Sequence, residues 1–276
     1  MIGRLLPQPI TKTSTMNEPT CLRRSRHTSC PRCDLIVALP EGFHVLDAAR
    51  DDRGLLQVTI ESAPVVMGCP VCGVVAVGHG RDEIELIDAP AFGAPVRLRW
   101  RKRRWRCPDP DCPTVVFVEQ DEALAAPRAK LTARACWWAI DQLRSENASI
   151  NGLRRQLGTS WATVWDSIQP MLAAAADDET RLSGVKILGV DEHVWHHVST
   201  KPAEHGGRGP KELTGIVDLT RDQHGRTHAR LLDLVPGRSG EVYKTWLKAR
   251  GDAFRATVEV ATLDPFHGYK KGLLHG

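Results

Sequence analysis

Eight cysteines give this 276-residue chain its clearest metal-binding pattern. Cys69 and Cys72 stand in "MGCPVCG", and Cys107 and Cys112 stand in "CPDPDC". Pairs of thiolates held in tight turns are typical ligands of one tetrahedral zinc ion. Reduced core thiols are the alternative, but both pairs lie in turn-forming segments and not in apolar periodic ones. The pattern therefore predicts a structural zinc site, because four thiolates leave no open position for catalysis.

The remaining cysteines give weaker signals. Cys30 and Cys33, in "SCPRC", form a third close pair, which Cys21 and His27 could complete as a metal site, although nothing in the spacing requires it. Cys136, in "ARACWWAI", is predicted to be a core residue of a helix.

Two aspartates are the candidate catalytic residues. Asp191 closes the apolar run of "VKILGVDEHVWH", and Asp264 closes that of "TLDPFHGYKK". Taken singly, each could be an ordinary turn residue at a strand end. If the two carboxylates meet at adjacent strand ends, they repel each other unless a divalent cation lies between them, and Mg²⁺ or Mn²⁺ suits oxygen ligands. Two such ions can promote cleavage of a phosphodiester.

A cationic stretch, "RLRWRKRRWR" at residues 97–106, carries seven Lys or Arg and no acid, whereas the net charge of the chain is only +4. Side chains alternate between the two faces of a strand. One face is predicted to present Arg97, Arg99, Arg101 and Arg103, and the other Val96, Leu98, Trp100 and Lys102. With Arg104, these arginines are the candidate contacts to a nucleic-acid backbone. The alternative is a solvated edge strand that uses charge to prevent aggregation.

Residues 125–173 show helical spacing and predict a helix-turn-helix. Ser149 is a candidate N-cap, Gly158 can end the helix in a left-handed conformation, and Thr159 or Ser160 can cap the next helix. In this layout four residues of the second helix would flank the major groove of DNA: Ser160, Trp161, Thr163 and Asp166. A generic helical hairpin is the alternative.

These residues require several modules to position them. We expect a disordered leader at 1–35, a β-rich unit at 36–118 that contains the zinc ribbon at 67–118, the helices, an acid-rich linker at 173–184, and an α/β domain at 184–276. No apolar run is long enough to span a membrane, and no apolar signal core follows the basic N-terminus. We therefore predict a cytoplasmic protein with no membrane partner, in which cysteines bind metal and do not form disulfides.

The motifs "LGVDEHVWH", "LTGIVDLT", "PGRSGE" and "TLDPFHGYKK", behind a four-cysteine knuckle and a helix-turn-helix, resemble those of ISL-three-type insertion-sequence transposases. The resemblance runs from about residue 36 to the end. It implies a multidomain α+β and α/β protein with an RNase H-like domain, whose DDE triad cuts and rejoins double-stranded DNA at element ends with Mg²⁺. Asp191 matches the first acid of that triad and Asp264 the second.

The third acid of the triad does not match. In the family a glutamate lies on a later helix, and this chain stops at Gly276. We therefore expect a partial RNase H-like domain in a truncated, inactive copy. A DNA-binding remnant or regulator without catalysis is the alternative, and either form could assemble as a homo-oligomer.

Overall fold

The computed structural model describes residues 31–196, 199, 201–205, 207–208 and 211–263. The chain divides into two compact units, Met1–Ala174 and Ala175–Gly276. Residues 1–30, most of the predicted leader, lie outside the described residues, and residues 31–35 begin a helix.

Within the described residues, the first unit contains five strands and four helices. The strands are β1 (Phe43–Arg50), β2 (Leu56–Ser62), β3 (Val77–Ala91), β4 (Ala94–Arg106) and β5 (Val116–Val118). The helices are α1 (Pro31–Val37), α2 (Ala133–Ser145), α3 (Ile150–Gln156) and α4 (Trp161–Asp177). The sheet has the order β1-β2-β4-β3, with β5 paired to β4.

A long antiparallel hairpin, β3 and β4, dominates this sheet. Its two-residue turn has both central residues at positive φ, Phe92 at 53° and Gly93 at 71°, which is the turn type whose twist matches a hairpin. At the other end of the hairpin Val77 pairs with Arg106. Most of the 34 residues between the cysteine pairs therefore belong to this hairpin. One cysteine pair precedes β3 and the other follows β4, so both pairs lie side by side at its open end.

The alternation predicted for β4 is confirmed by the burial of its side chains. Val96, Leu98 and Trp100 are buried in a core with residues of β1, β2 and β3, while the arginines of the other face are half-buried. Lys102 continues the inner face, where burial lowers its pKa and its ammonium lies 4.4 Å from the Trp100 ring. The inner face of the sheet is therefore apolar and ends in a cation.

The helices form a second core beside the sheet. Ala135, Ala139 and Ile140 of α2 pack with Leu153 and the rest of this core, whereas Trp138 and Leu143 are only partly buried. Other buried members of this core are Leu131, Cys136, Leu157, Val164 and Ile168. The segment assigned to a linker starts later than expected, because α4 continues to Asp177.

The described part of the second unit contains four strands and two helices. The strands are β6 (Ile187–His196), β7 (Lys211–Asp218), β8 (Arg230–Pro236) and β9 (Val260–Leu263), and the helices are α5 (Gly240–Ala249) and α6 (Gly251–Thr257). Short 3-10 turns occupy Glu179–Leu182 and Ala203–His205.

The four strands of the second unit form one mixed sheet with the order β8-β7-β6-β9. The first three strands are antiparallel, and β9 returns parallel to β6 after the two helices. Tyr243 and Trp246 of α5 pack on Leu188, Val190 and other buried residues of one sheet face. In the described part of the chain, no helix is long and apolar enough to cross a membrane.

Candidate metal centre and nucleic-acid interface

Two short loops at the open end of the β3–β4 hairpin carry the four predicted zinc ligands. In the first loop the amide of Cys69 donates to Val74 O at 2.8 Å, and the amide of Gly73 donates to Cys69 O at 2.9 Å. In the second, the amide of Cys107 donates to Val115 O at 3.1 Å. These backbone bonds close each loop so that both of its sulfurs are directed to one point.

The four sulfur atoms have the spacing of a zinc site. Cys69 Sγ lies 3.7 Å from Cys112 Sγ, Cys72 Sγ lies 3.5 Å from Cys107 Sγ, and all four atoms lie within 4.8 Å of one another. Zinc–sulfur bonds of about 2.3 Å at tetrahedral angles place sulfurs about 3.8 Å apart. The donor set therefore fits zinc.

The comparison with protein families reaches the same segment. Residues 66–112 match the family model described as the zinc-finger of transposase IS204/IS1001/IS1096/IS1165. The chain thus carries a transposase zinc ribbon with a four-cysteine cluster, as predicted. No curated protein and no solved structure matches the chain.

The other cysteines lie apart from the zinc ribbon. Cys33, on α1, packs against the core of the sheet, and its predicted partners Cys21, His27 and Cys30 lie outside the described residues. Cys136 is buried in the helical core, as its pattern predicted, and burial raises the pKa of its thiol to about 11.

The cationic face of β4 is balanced by acids that come from neighbouring strands. Glu61 of β2 accepts from Arg103 at 2.8 Å and from Arg81 at 2.8 Å, and lies 3.9 Å from Arg101. Glu83 pairs with Arg101 at 3.5 Å. The face still carries an excess of positive charge, with arginines 81, 97, 99, 101 and 103 against glutamates 61, 83 and 85.

The five predicted arginines therefore differ in what they offer a ligand. Arg97 and Arg103 have side chains only 11% and 12% exposed and direct their donors into the protein. Arg101 is 33% exposed, and Arg104 is 37% exposed with Asp82 at 3.5 Å. Arg99 donates to Gln57 at 3.3 Å, with no acidic partner in the described part of the chain. Arg99 and Arg101 are thus the better placed for an anionic ligand on this face, whereas Arg104 lies on the face of Lys102, beside Asp82.

The turn between α3 and α4 forms with the residues predicted for it. Ser149 caps α3 by accepting from the amide of Gly152 at 3.1 Å. Gly158 adopts φ +61°, the left-handed conformation expected at the helix end. Of the two candidate caps for α4, Ser160 takes the role, because its hydroxyl accepts from the amide of Thr163 at 3.0 Å.

Three of the four residues predicted to flank the major groove, Ser160, Trp161 and Thr163, lie close together at the start of α4. Trp161 is 49% exposed, and its ring lies 5.8 Å from that of Trp165. The hydroxyls of Ser160 and Thr163 are hydrogen-bonded to each other at 2.8 Å. Ser160 and Trp161 are both exposed and Thr163 is half-buried, while Ser160 also serves as the cap.

A groove of about 620 Å³ lies along the same helix. It is formed by the segment 122–133 and by α4, and Thr163 and Asp166 line one wall while Arg128 and Lys130 line the other. The sequence analysis did not predict the basic wall with Arg128 and Lys130. It also did not single out Arg154 and Arg155 in the last turn of α3. The dipeptide "RR" in "NGLRRQLG" was the available signal.

The first candidate catalytic residue, Asp191, is exposed on β6, the strand between β7 and β9. Its Oδ1 accepts from the amide of Glu192 at 2.7 Å, and its other oxygen has no hydrogen-bond partner among the residues that the structure describes. Glu192 itself is largely buried and forms an ion pair with Arg238. Asp264 lies outside the described residues, directly after the last described pair of the parallel ladder, Val190 with Leu263.

Proposed function

We propose that this chain is a transposase of a bacterial insertion sequence. The observation that carries the proposal is the zinc ribbon: residues 66–112 match a transposase zinc finger, and the four sulfurs have the geometry that zinc requires. The ribbon belongs to a unit with a cationic sheet face and a pair of helices joined by a tight turn. That combination supports binding of double-stranded DNA at the element ends.

In the proposed complex the sheet and the helices have separate roles. Arg99 and Arg101 contact phosphates, which gives affinity that depends on salt and little on sequence. The first turn of α4, with Trp161 and Thr163, enters the major groove as the second helix of a helix-turn-helix. Arg154 and Arg155 of α3 add contacts to the phosphate backbone of the DNA beside α4.

The second unit is proposed to be an RNase H-like catalytic domain. Three antiparallel strands, two helices and a strand parallel to the first support this fold. Asp191 on the first strand would share a Mg²⁺ or Mn²⁺ site with Asp264, which follows the fourth strand in the sequence. The ion would stabilise charge on the cleaved phosphodiester, while the carboxylates of the protein hold it in place.

A binding experiment tests the first half of the proposal. Duplexes from the DNA on either side of the gene are titrated with the protein, with a shuffled duplex of equal length as competitor. Preferential retardation of the flanking duplexes is expected. Trp161→Ala should weaken binding to them more than binding to the competitor, whereas equal losses would assign Trp161 to packing.

A nicking assay tests the second half. Mg²⁺-dependent nicking of a bound duplex would show that the domain acts despite the unmatched third acid, and Asp191→Asn should then abolish it while retardation persists. Asp252→Asn is the matched control, because this carboxylate of the same unit is 91% exposed and far from β6 in sequence. Retardation without nicking in the unmodified protein would favour the alternative function, a DNA-binding regulator without catalysis.

A further inference from the structure

Arg97 differs from the other arginines of the cationic face because its hydrogen bonds are accepted by backbone carbonyls of the turn between α3 and α4. Its Nη1 donates to the carbonyl of Leu157 at 3.0 Å, and its Nη2 donates to that of Gly158 at 2.5 Å. Only 11% of the side chain is exposed, and Nε lies 3.6 Å from Glu85. The guanidinium therefore joins the sheet to the turn between α3 and α4.

The two carbonyls are those that a helix end leaves without partners. Leu157 is the C-cap of α3, and Gly158 follows it in the left-handed conformation. Carbonyls at this end carry partial negative charge, which a cation complements. The planar guanidinium reaches both at once, which the single ammonium of a lysine does less well.

The sheet and the turn also approach each other closely at this point. A Cβ placed on Gly158 would lie 3.3 Å from Pro95 Cβ and 3.5 Å from Arg97 Nη2. The amide of Thr159 donates to Arg154 O, which closes the end of α3, and the next residue, Ser160, caps α4. The position of the first turn of α4 is therefore fixed from β4 through Arg97.

We infer that Arg97 is a positioning residue for DNA recognition, and not a phosphate contact. It holds the first turn of α4 at a fixed place relative to the arginines of the sheet face, so that both meet one duplex together. This inference rests on the proposed DNA binding. Its physical signature is a loss of affinity without a loss of released counterions.

The test compares Arg97→Ala with Arg99→Ala, a matched change on the same face. Affinity for a flanking duplex is measured by fluorescence anisotropy over a series of salt concentrations. Arg99→Ala should reduce the slope of log K against log salt by about 0.9, the value for one phosphate contact. Arg97→Ala should lower affinity roughly tenfold at unchanged slope, because a turn that is no longer held must be ordered when DNA binds. Arg97→Lys should be intermediate.

A reduced slope in Arg97→Ala, or unchanged affinity, would overturn the inference. Hydrogen exchange in the DNA-free protein tests the role of Arg97 in the turn without depending on the proposed DNA binding. In Arg97→Ala the amides of residues 157–164 should exchange faster, with those of α2 unchanged. Unchanged exchange at 157–164, or a uniform increase over the whole unit, would also overturn it. If the unmodified protein binds no duplex, the proposed function fails, and exchange still decides whether Arg97 fixes the turn.

Discussion

The guanidinium of Arg134 on α2 forms an ion pair with the carboxylate of Asp88 on β3, and its Nε donates to Oδ1 at 2.8 Å. Asp88 is 1% exposed and also accepts from the hydroxyl of Thr132, the N-cap of α2, at 2.7 Å. Arg134 further donates to the carbonyls of Val37 and Ala38. One carboxylate thus joins the sheet, the start of α2 and the end of α1.

Asp88→Asn is expected to destabilise the first unit. The change removes the charge to which Arg134, with 33% of its side chain exposed, and Thr132 are hydrogen-bonded, and the loss of such bonds to a charged group costs about 2 kcal/mol. Urea unfolding measures the difference in free energy of unfolding. Asp82→Asn is the control, because Asp82 is 45% exposed and 3.5 Å from Arg104, and should cost below about 1 kcal/mol. Equal costs would argue against a special role for Asp88.

Glu61 predicts a specific loss of stability in acid. The hydrogen bond from Arg81, together with the charges of Arg81, Arg103 and Arg101, holds the pKa of Glu61 below its ordinary value of 4.5. A carboxyl with a depressed folded pKa contributes stability that is complete above the unfolded pKa and is lost as the pH falls through the folded pKa. Glu61→Gln should therefore cost about 1 kcal/mol at pH 7 and progressively less below pH 4.5.

Urea unfolding over a pH series measures this dependence. Glu83→Gln removes a glutamate from the same face, but Glu83 is 56% exposed. Its cost should stay near zero at every pH, since exposed ion pairs contribute little. A Glu61→Gln cost that does not change between neutral and acidic pH would contradict the assignment.

Gly158→Ala is expected to destabilise the helices by about 1–2 kcal/mol, because an L-residue at positive φ is strained. The added methyl would also meet Pro95. Gly152→Ala, inside α3, provides the opposite case. Its nearest neighbour would be Ser149 Oγ at 3.5 Å, and replacing a helical glycine with alanine should stabilise by about 0.5–1 kcal/mol. Thermal unfolding should show a lower melting temperature for Gly158→Ala and a higher one for Gly152→Ala. A higher melting temperature for Gly158→Ala would contradict the left-handed conformation of residue 158.

Cysteine alkylation should separate the zinc ligands from the core thiol. The purified protein is expected to hold about one zinc ion per chain, and bound zinc should protect Cys69, Cys72, Cys107 and Cys112 from iodoacetamide. A chelator should expose all four. Cys136 should stay unmodified in the folded protein at pH 8 with or without zinc, because burial raises its pKa to about 11. Peptide mass spectrometry measures each site, and rapid labelling of the four ligands before chelation would refute the metal site.

The sequence predicted local features well. The spacing of the cysteines predicted the metal cluster, and the alternation along β4 predicted which side chains face the core, because both patterns depend on residues near in sequence. The caps at Ser149 and Gly158 followed from residue type alone.

Contacts between distant segments were not predictable in the same way. The stretch 97–106 contains no acid, so the sequence indicated an open cationic strip, whereas Glu61 of β2 supplies the counter-charge from 42 residues away. Because no acid is nearby in sequence, Arg97 was also predicted to contact DNA. The carbonyls that accept its hydrogen bonds belong to Leu157 and Gly158, 60 and 61 residues later. Strand order decides such pairs, and the order β2-β4-β3 is not written in any one segment.

The β3–β4 hairpin has a consequence for how this unit could change its reach. The zinc ribbon lies at the open end and Arg97 near the closed end, so the strand between Arg97 and Arg106 spans roughly 30 Å. Because side chains alternate with a period of two, adding two residues to each strand would move the ribbon outward by about 7 Å and keep every face in place. Adding one to each would turn the ribbon to the opposite side. The hairpin is a spacer whose length is free to vary only in even steps.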